Sequence, residues 1–406
     1  MPILNDRNRF SVTGASIIRR RNSNQVSGAS DDSGEWDILP LVIEVNIFES
    51  IFDAAMSGSI SIADTASLSS IINFQGQEIL SLQWIVDDKE YNKNFYIWSV
   101  SVQNKSANTT TSTLVLEFVE RHGYISEFNF LNGASAGNVA DIIRDIMVST
   151  LDVPLAYWTN ADQNMRVMHN NRTPLQIVKW LTQRATNEIG EPMFCYASMP
   201  KNADLSEPES TNVRFVDLNT MLNTYEWEDE DTFRYSLTPN NDDAFRIDSV
   251  GFPENDNVFE LAQRDSLFVS GINTTSMFDD GYHGYNEERV ADKHRFRLSR
   301  ESDWTMIEKQ RFTISVPGNL FLSGPEFRGA GSMINIMIPK DQPSHTPSDN
   351  TIDAKRSGKF LIINQRHIMN AITGDYTIVM DIGRPDTPDD VNDETRYRTG
   401  REQRPR

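Results

Sequence analysis

The pentapeptide GASAG, Gly133–Gly137, fits the G-x-S-x-G pattern in which a serine on a sharp strand-to-helix turn acts as a nucleophile. An apolar FNFL precedes it and a helical pattern follows. The chemistry needs more, namely a parallel sheet with repeated β-α units around the serine, then an acid and a histidine further along. No such alternation surrounds Ser135, and His169, in MRVMHNNRT, comes before any acid-bearing strand. GASAG therefore reads as a turn into the 138–150 helix, with Ser135 or Asn138 as its cap. The six histidines, His122, His169, His283, His294, His345 and His367, offer no H-E-x-x-H and no pair at ligand spacing. No Asp/Asn/Gly string fits a calcium loop, and RGAGS at 328–332 lacks the lysine of a phosphate-binding loop. The single cysteine, Cys195 in EPMFCYA, excludes an internal disulfide and reads as a small buried hydrophobe. Any two of the 58 acids could converge as a glycosidase pair, but nothing nominates one. The chain is expected to be non-catalytic, with no cofactor and no metal.

Charge narrows the field further. A net charge of −20 over 406 residues argues against a broad nucleic-acid-binding face. The acid is concentrated: residues 201–260 hold 15 Asp or Glu against 4 Lys or Arg. Within them, EWEDED supplies Glu226, Glu228, Asp229, Glu230 and Asp231. Such a run is ordinarily a solvated face; its sharper reading is a surface past which nucleic acid moves without being held. No run approaches the roughly 18 apolar residues of a membrane span, so no membrane insertion is expected. MPILNDRNRFSVTG has no apolar h-region, so no secretory signal is expected, and the lone cysteine suits assembly in a reducing cytoplasm.

The elements around these residues read as α+β, rich in β. Residues 1–36 look like a flexible basic arm, rich in Ser, Asn and Arg, without apolar periodicity. Residues 37–120 carry β-branched and aromatic runs, LPLVIEVNIF, SGSISIAD, EILSLQWIVDD, FYIWSVSV and STLVLEFV, with a short helix near 66–73. They suggest a small antiparallel barrel or sandwich. Residues 121–241 form an α+β insertion. NVADIIRDIM sets Val139, Ile142, Ile143, Ile146 and Met147 on one helical face, and a second helix starts at Thr173-Pro174. MFCYASM and NVRFVDL follow as a strand pair. The β pattern resumes in 242–257 and 312–384, around an inserted segment at 258–311, with a flexible charged tail at 385–406.

Two stretches resemble each other. KNFYIWSVSVQNKSANTTTSTLVLEF and GKFLIINQRHIMNAITGDYTIVMDI both open on a basic residue ahead of Phe, and both close on Thr, aliphatics, an acid and an apolar residue. Phe95 precedes Thr113 by 18 positions, and Phe360 precedes Thr377 by 17. Each hairpin ends its β module, so the chain is expected to carry one module twice. The seven tryptophans are scattered, which favours core use over a glycan-binding cluster.

This order of parts resembles the baseplate hub protein of contractile-tailed bacteriophages, and the related hub segment of type VI secretion spikes. The likeness covers most of residues 38–384. It is carried by AMSGSISIAD, the VPGN turn at 316–319, the two helices of the insertion and the terminal hairpin. The resemblance implies two tail-tube-like β modules and a homotrimer whose six modules form a ring. That ring would join the sixfold tail tube to the threefold cell-puncturing spike, with a bore through which DNA passes. Its implied partners are the tail tube protein, the central spike protein, baseplate wedge proteins and the tape measure protein. Specific nucleic-acid binding is not expected, and the implied location is the virion tail baseplate, assembled in the bacterial cytoplasm. Under this reading the EWEDED carboxylates contribute to an acidic lumen or interface. The alternatives are a serine hydrolase using GASAG and a glycan-binding tail-associated protein.

Overall fold

The structure, a computed structural model, describes residues 10–19, 34–64, 68–72, 74–86, 89–103, 112–188, 191–199, 211–223, 232–235, 245–251, 310–318, 329–340, 352–353 and 356–384. It is β-rich, dominated by one large, mostly antiparallel sheet of 14 strands. The first seven strands are β1 (Phe10–Arg19), β2 (Gly34–Asp37), β3 (Val42–Ser50), β4 (Ser57–Asp64), β5 (Ile79–Val86), β6 (Lys89–Gln103) and β7 (Ser112–Val119). They pair in the order β3-β4-β7-β6-β5-β1-β2. β2 and β3 are separated only by Ile38 and the 3-10 turn Leu39–Leu41, so the two ends of this path are adjacent in the chain, and the seven strands are called the first barrel below.

Alternation builds the barrel. In β4, Gly58, Ile60 and Ile62 point inward and are buried, between half-buried Ser57, Ser59 and Ser61. Each fully buried Ile or Phe here contributes about 1.5–3 kcal/mol of apolar transfer energy. Gly58 is required by close approach, since a Cβ there would collide with the Asn46 carbonyl and the Phe118 ring. The expected short helix is present as α1 (Leu68–Ile72).

The expected flexible arm is corrected over its described part. Residues 10–19 are β1, antiparallel to β5 with Ile17 opposite Leu80, and Gly34–Asp37 pairs with it as β2. A bulge between Val12 and Gly14 shifts the phase, so the core face is Phe10 and half-buried Val12 before it, Ala15 and Ile17 after it. That break hides the period of two. Arg19, the first of three consecutive arginines at 19–21, is also structural: it pairs with Glu78 at 3.0 Å and stacks over Trp36.

The insertion contains α2 (Arg121–Phe128), β8 (Ala134–Asn138), α3 (Val139–Asp145) running into a π-helical turn at Ile146–Thr150, β9 (Leu155–Trp158), β10 (Asn164–Met168), α4 (Pro174–Thr182), β11 (Met193–Ser198), β12 (Asn212–Asp217) and α5 (Leu218–Asn223). MFCYASM and NVRFVDL do pair antiparallel, and β9 adds parallel to β12. The α3 face named from periodicity is buried throughout. Pro174 opens α4, where the Thr173 N–H donates to Gln176 Oε1 (3.4 Å). Among the described residues, no helix is long and apolar enough to cross a membrane.

The remaining strands are β13 (Thr232–Tyr235), β14 (Arg246–Ile247), β15 (Ser249–Gly251), β16 (Gln310–Pro317), β17 (Met333–Met337), β18 (Gly358–Asn370) and β19 (Tyr376–Arg384). Their order is β15-β16-β19-β18-β17-β13-β14, and Asp248 alone separates β14 from β15. These seven strands, whose path ends are likewise adjacent in the chain, are called the second barrel. It includes β13, which the sequence reading assigned to the insertion.

Candidate functional site, a joint between two matching barrels

The two barrels match in register over five strands. In the first hairpin Ile97 faces Phe118, a bulge follows, and Ser99 faces Glu117. In the second, Ile362 faces Ile382, a bulge follows, and Asn364 faces Asp381. On the next strand Ser59 and Ile60 face Glu117 and Leu116, as Thr313 and Ile314 face Asp381 and Met380. Asn46 sits opposite Ser59, and Gly251 opposite Thr313. On the other side Leu80 faces Phe95, as Ile334 faces Phe360. Five strands thus share order, register and bulge. Two pairs depart, because β1 runs antiparallel to β5 and β2, whereas β13, in the corresponding place, runs parallel to β17 and β14.

The barrels meet where one edge of β18, whose other edge holds β19, takes a second strand beyond β17. Its first residues pair with β17, and from Asn364 to Asn370 the same edge pairs with β3 of the first barrel. At the centre lies Glu49, fully buried. Its Oε1 accepts from His367 Nε2 at 2.9 Å and from the Met199 N–H at 3.3 Å; its Oε2 accepts from the Ala330 N–H at 3.2 Å. His367 Nδ1 lies 2.7 Å from the Tyr376 hydroxyl. Burial holds the Tyr376 phenol well above its ordinary pKa, so it keeps its proton in this contact. One carboxylate therefore ties together the first barrel, the second barrel and the chain just after β11. Apolar packing closes the joint: Phe194, Tyr196 and Val216 of the insertion meet Ile51 on one side, and Leu361 and Ile363 on the other.

A second buried charge cluster lies where the first barrel passes into α2. Lys93 Nζ is 2.7 Å from Glu120 Oε1, and Glu120 Oε2 accepts the Met56 N–H at 2.8 Å. His122 Nε2 donates to the Ala54 carbonyl at 2.7 Å. Burial lowers the His122 pKa below its ordinary 6.5, although Glu120 and the Ala54 carbonyl pull the other way. The unfolded chain then binds a proton that the folded chain refuses, so stability falls as pH drops through 6.5 toward the folded value. Melting temperature is expected to decrease between pH 7 and pH 5, and His122→Gln to flatten that slope; parallel slopes for the two proteins would refute it. The second barrel carries a different clamp. Burial alone would raise the Asp381 carboxyl, but hydrogen bonds from Asn364, Thr313 and Arg311 together hold it below its ordinary pKa.

The residues singled out for chemistry fare unevenly. Ser135 Oγ and His169 Nε2 do come together, at 2.9 Å. GASAG is not a turn, however: β8 pairs regularly with β10, Ser135 opposite Val167. Among the described residues no carboxylate bonds His169, and its N–H donates to the Gly133 carbonyl, closing the β10 end of the ladder. Asn138, and not Ser135, caps α3, its Oδ1 accepting the Ala140 N–H at 2.9 Å. Cys195 is buried, its thiol pushed up to about 12. No cluster of His, Cys, Asp and Glu that could hold a metal occurs among the described residues. The acids Glu226, Glu228, Asp229, Glu230 and Asp231, nearly all of 258–311 and the 385–406 tail lie outside the described residues. Core use of tryptophan holds for Trp84 but fails for Trp98, which is exposed beside a groove of about 650 Å³ lined also by Phe52, Tyr124 and Phe128. Sequence reasoning missed the roles of Glu49 and His367, which stand among other polar residues, Asn46 and Ser50 on β3 and Asn364 to Arg366 on β18, and carry no signal of their own.

No family model matches the chain, and no curated protein matches it. Solved structures do. A tail protein from Neisseria meningitidis aligns at 11% identity over 92% of this chain and 96% of its own length, with a TM-score of 0.49. The 43 kDa tail protein of prophage MuSo2 from Shewanella oneidensis aligns at 8% identity over 92% and 97%, also with a TM-score of 0.49. An Escherichia coli component of the type VI secretion system, described as structurally similar to the T4 bacteriophage tail proteins gp27 and gp5, aligns at 12% identity over 85% and 73%, with a TM-score of 0.47.

Proposed function

We propose that this chain is a structural hub of a contractile tail, in which three copies present six barrels as a pseudo-sixfold ring between a sixfold tube and a threefold spike. The observation that carries this reading is the register match of the two barrels, bulge included, within one chain. A trimer of a duplicated module offers both symmetries at once, which a trimer of single modules cannot. The work is mechanical, with no catalytic residue, cofactor or metal. The partners are the tube and spike proteins, with wedge and tape measure proteins at the periphery. An acidic bore, to which EWEDED contributes, lets DNA pass because like charges repel at close range. The assembled protein belongs in the virion tail, after assembly in the host cytoplasm. Ser135 and His169 lend the hydrolase alternative its one geometric support, and we assign them instead to closing the β8–β10 ladder. Light scattering of the purified chain is expected to give a trimer, and negative-stain images a ring with a central hole. A monomer across the accessible concentration range would overturn this reading.

A further inference from the structure

The matched registers expose an asymmetry. Aligned through their shared bulge, Trp98, Val100 and Val102 of β6 correspond to Ile363, Gln365 and His367 of β18. The residues of β18 are 0%, 2% and 1% exposed, whereas those of β6 are 61%, 36% and 54% exposed. The cause is visible in the pairing. β18 from Asn364 to Asn370 carries β3 along its outer edge, and Ile51 donates its N–H to the Ile363 carbonyl at 3.1 Å. β6 is paired along that edge by β5 only as far as Tyr96, and the Ile97 N–H donates to the Glu78 carbonyl. From Trp98 to Gln103 no strand lies there among the described residues.

The vacant seat has a matching occupant. β15 is the counterpart of β3, because Val250 and Gly251 face Ile314 and Thr313 as Val45 and Asn46 face Ile60 and Ser59. β3 gives its other edge to β18; the same edge of β15 has no partner strand among the described residues. We propose that β15 of a second copy of this chain docks antiparallel on the Trp98–Gln103 edge of β6, repeating between chains the contact that β3 and β18 make within one. This deepens the proposed ring and rests on it. The register follows from the internal joint: Asn46 faces Ile368, so Gly251 of one copy faces Gln103 of the next. The contact is head-to-tail, first barrel to second barrel, so its repetition generates a ring. It also covers an apolar strand edge of the kind that otherwise invites unspecific pairing.

The test is a disulfide between copies. Opposed residues of an antiparallel pair lie about 4.5–5.5 Å apart at Cα, within reach of a disulfide. A Cβ at Gly251 meets only ordinary contacts, 3.6 Å to the Thr313 carbonyl, so Gly251→Cys is accommodated. The native Cys195 is buried with a suppressed thiolate and does not compete. Full-length Gln103→Cys/Gly251→Cys is expected to give disulfide-linked dimers and closed trimers on oxidation, and each single variant none. In parallel, Val102→Glu, at an exposed position, is expected to abolish the trimer while leaving the melting temperature of the chain within about 2 °C of its parent. A trimer that forms no cross-link, or that tolerates Val102→Glu, would overturn this interface and leave the ring standing. A parent protein that is monomeric would overturn both.

Discussion

Replacing Glu49 with alanine is expected to destabilise the protein by about 3–5 kcal/mol, the usual consequence of removing one partner from a buried charged network. Three donors lose their acceptor together: His367 Nε2 and the N–H groups of Met199 and Ala330. None can turn to water, because the joint is closed by Ile51, Phe194 and Leu361. Each abandoned buried donor is worth about 1–3 kcal/mol, and the smaller side chain also leaves a void. Glu49→Gln keeps one acceptor oxygen and is expected to lose about half as much or less. Because Glu49 ties together the two barrels and the insertion, Glu49→Ala is expected to split urea unfolding into two transitions where the parent shows one. A loss below about 1 kcal/mol with a single transition would mean that apolar packing alone holds the joint.

Gly58→Phe is the second large effect, about 3 kcal/mol or more, because the ring would enter space already held by the Asn46 carbonyl and Phe118. The duplicate barrel suggests its own remedy. At the matching place in the second barrel, Phe312 faces Ile382, so the large residue stands on the other strand of the pair. Phe312 there packs on Phe360 at 5.3 Å, as Phe118 packs on Phe95 at 4.5 Å. Phe118→Ile alone is expected to destabilise by leaving a cavity. Combined with Gly58→Phe it recreates the second barrel's arrangement, and a coupling of about 1–3 kcal/mol in favour of the double variant is expected. Asn46, where the second barrel has Gly251, keeps the rescue incomplete. Additive losses in denaturant unfolding would mean that the two barrels share topology without sharing packing.

The duplication was legible in the sequence because the closing hairpins retain Phe, Thr and an acid at nearly equal spacing. The same match extends to β4 and β16, where SISI and TISV occupy one register, yet four short residues are too common in strands to be read without their partners. β1 was hidden by its bulge, since a single extra residue moves the apolar phase from Phe10 to Ala15. β13 was hidden by its length, four residues beside an acidic run. Ser135 and His169 were individually visible, but their contact depends on the antiparallel pairing of β8 with β10, and periodicity does not report which strands pair. Glu49 and His367 were illegible for a related reason: 318 positions separate them, and the pattern along either strand does not report a partner on the other.

That separation has a consequence for how the chain is made. β3 leaves the ribosome complete, but the outer edge that it gives to β18 stays open until residue 370 has been synthesised. At roughly 5–20 residues per second, the wait is on the order of 15–60 s, far longer than the microseconds in which neighbouring strands find one another. Throughout it, β3 presents a ready template to other nascent chains on the same message. Glu44 and Glu49 lie on that edge. Before they are needed in the finished joint, their charges discourage premature pairing with another copy.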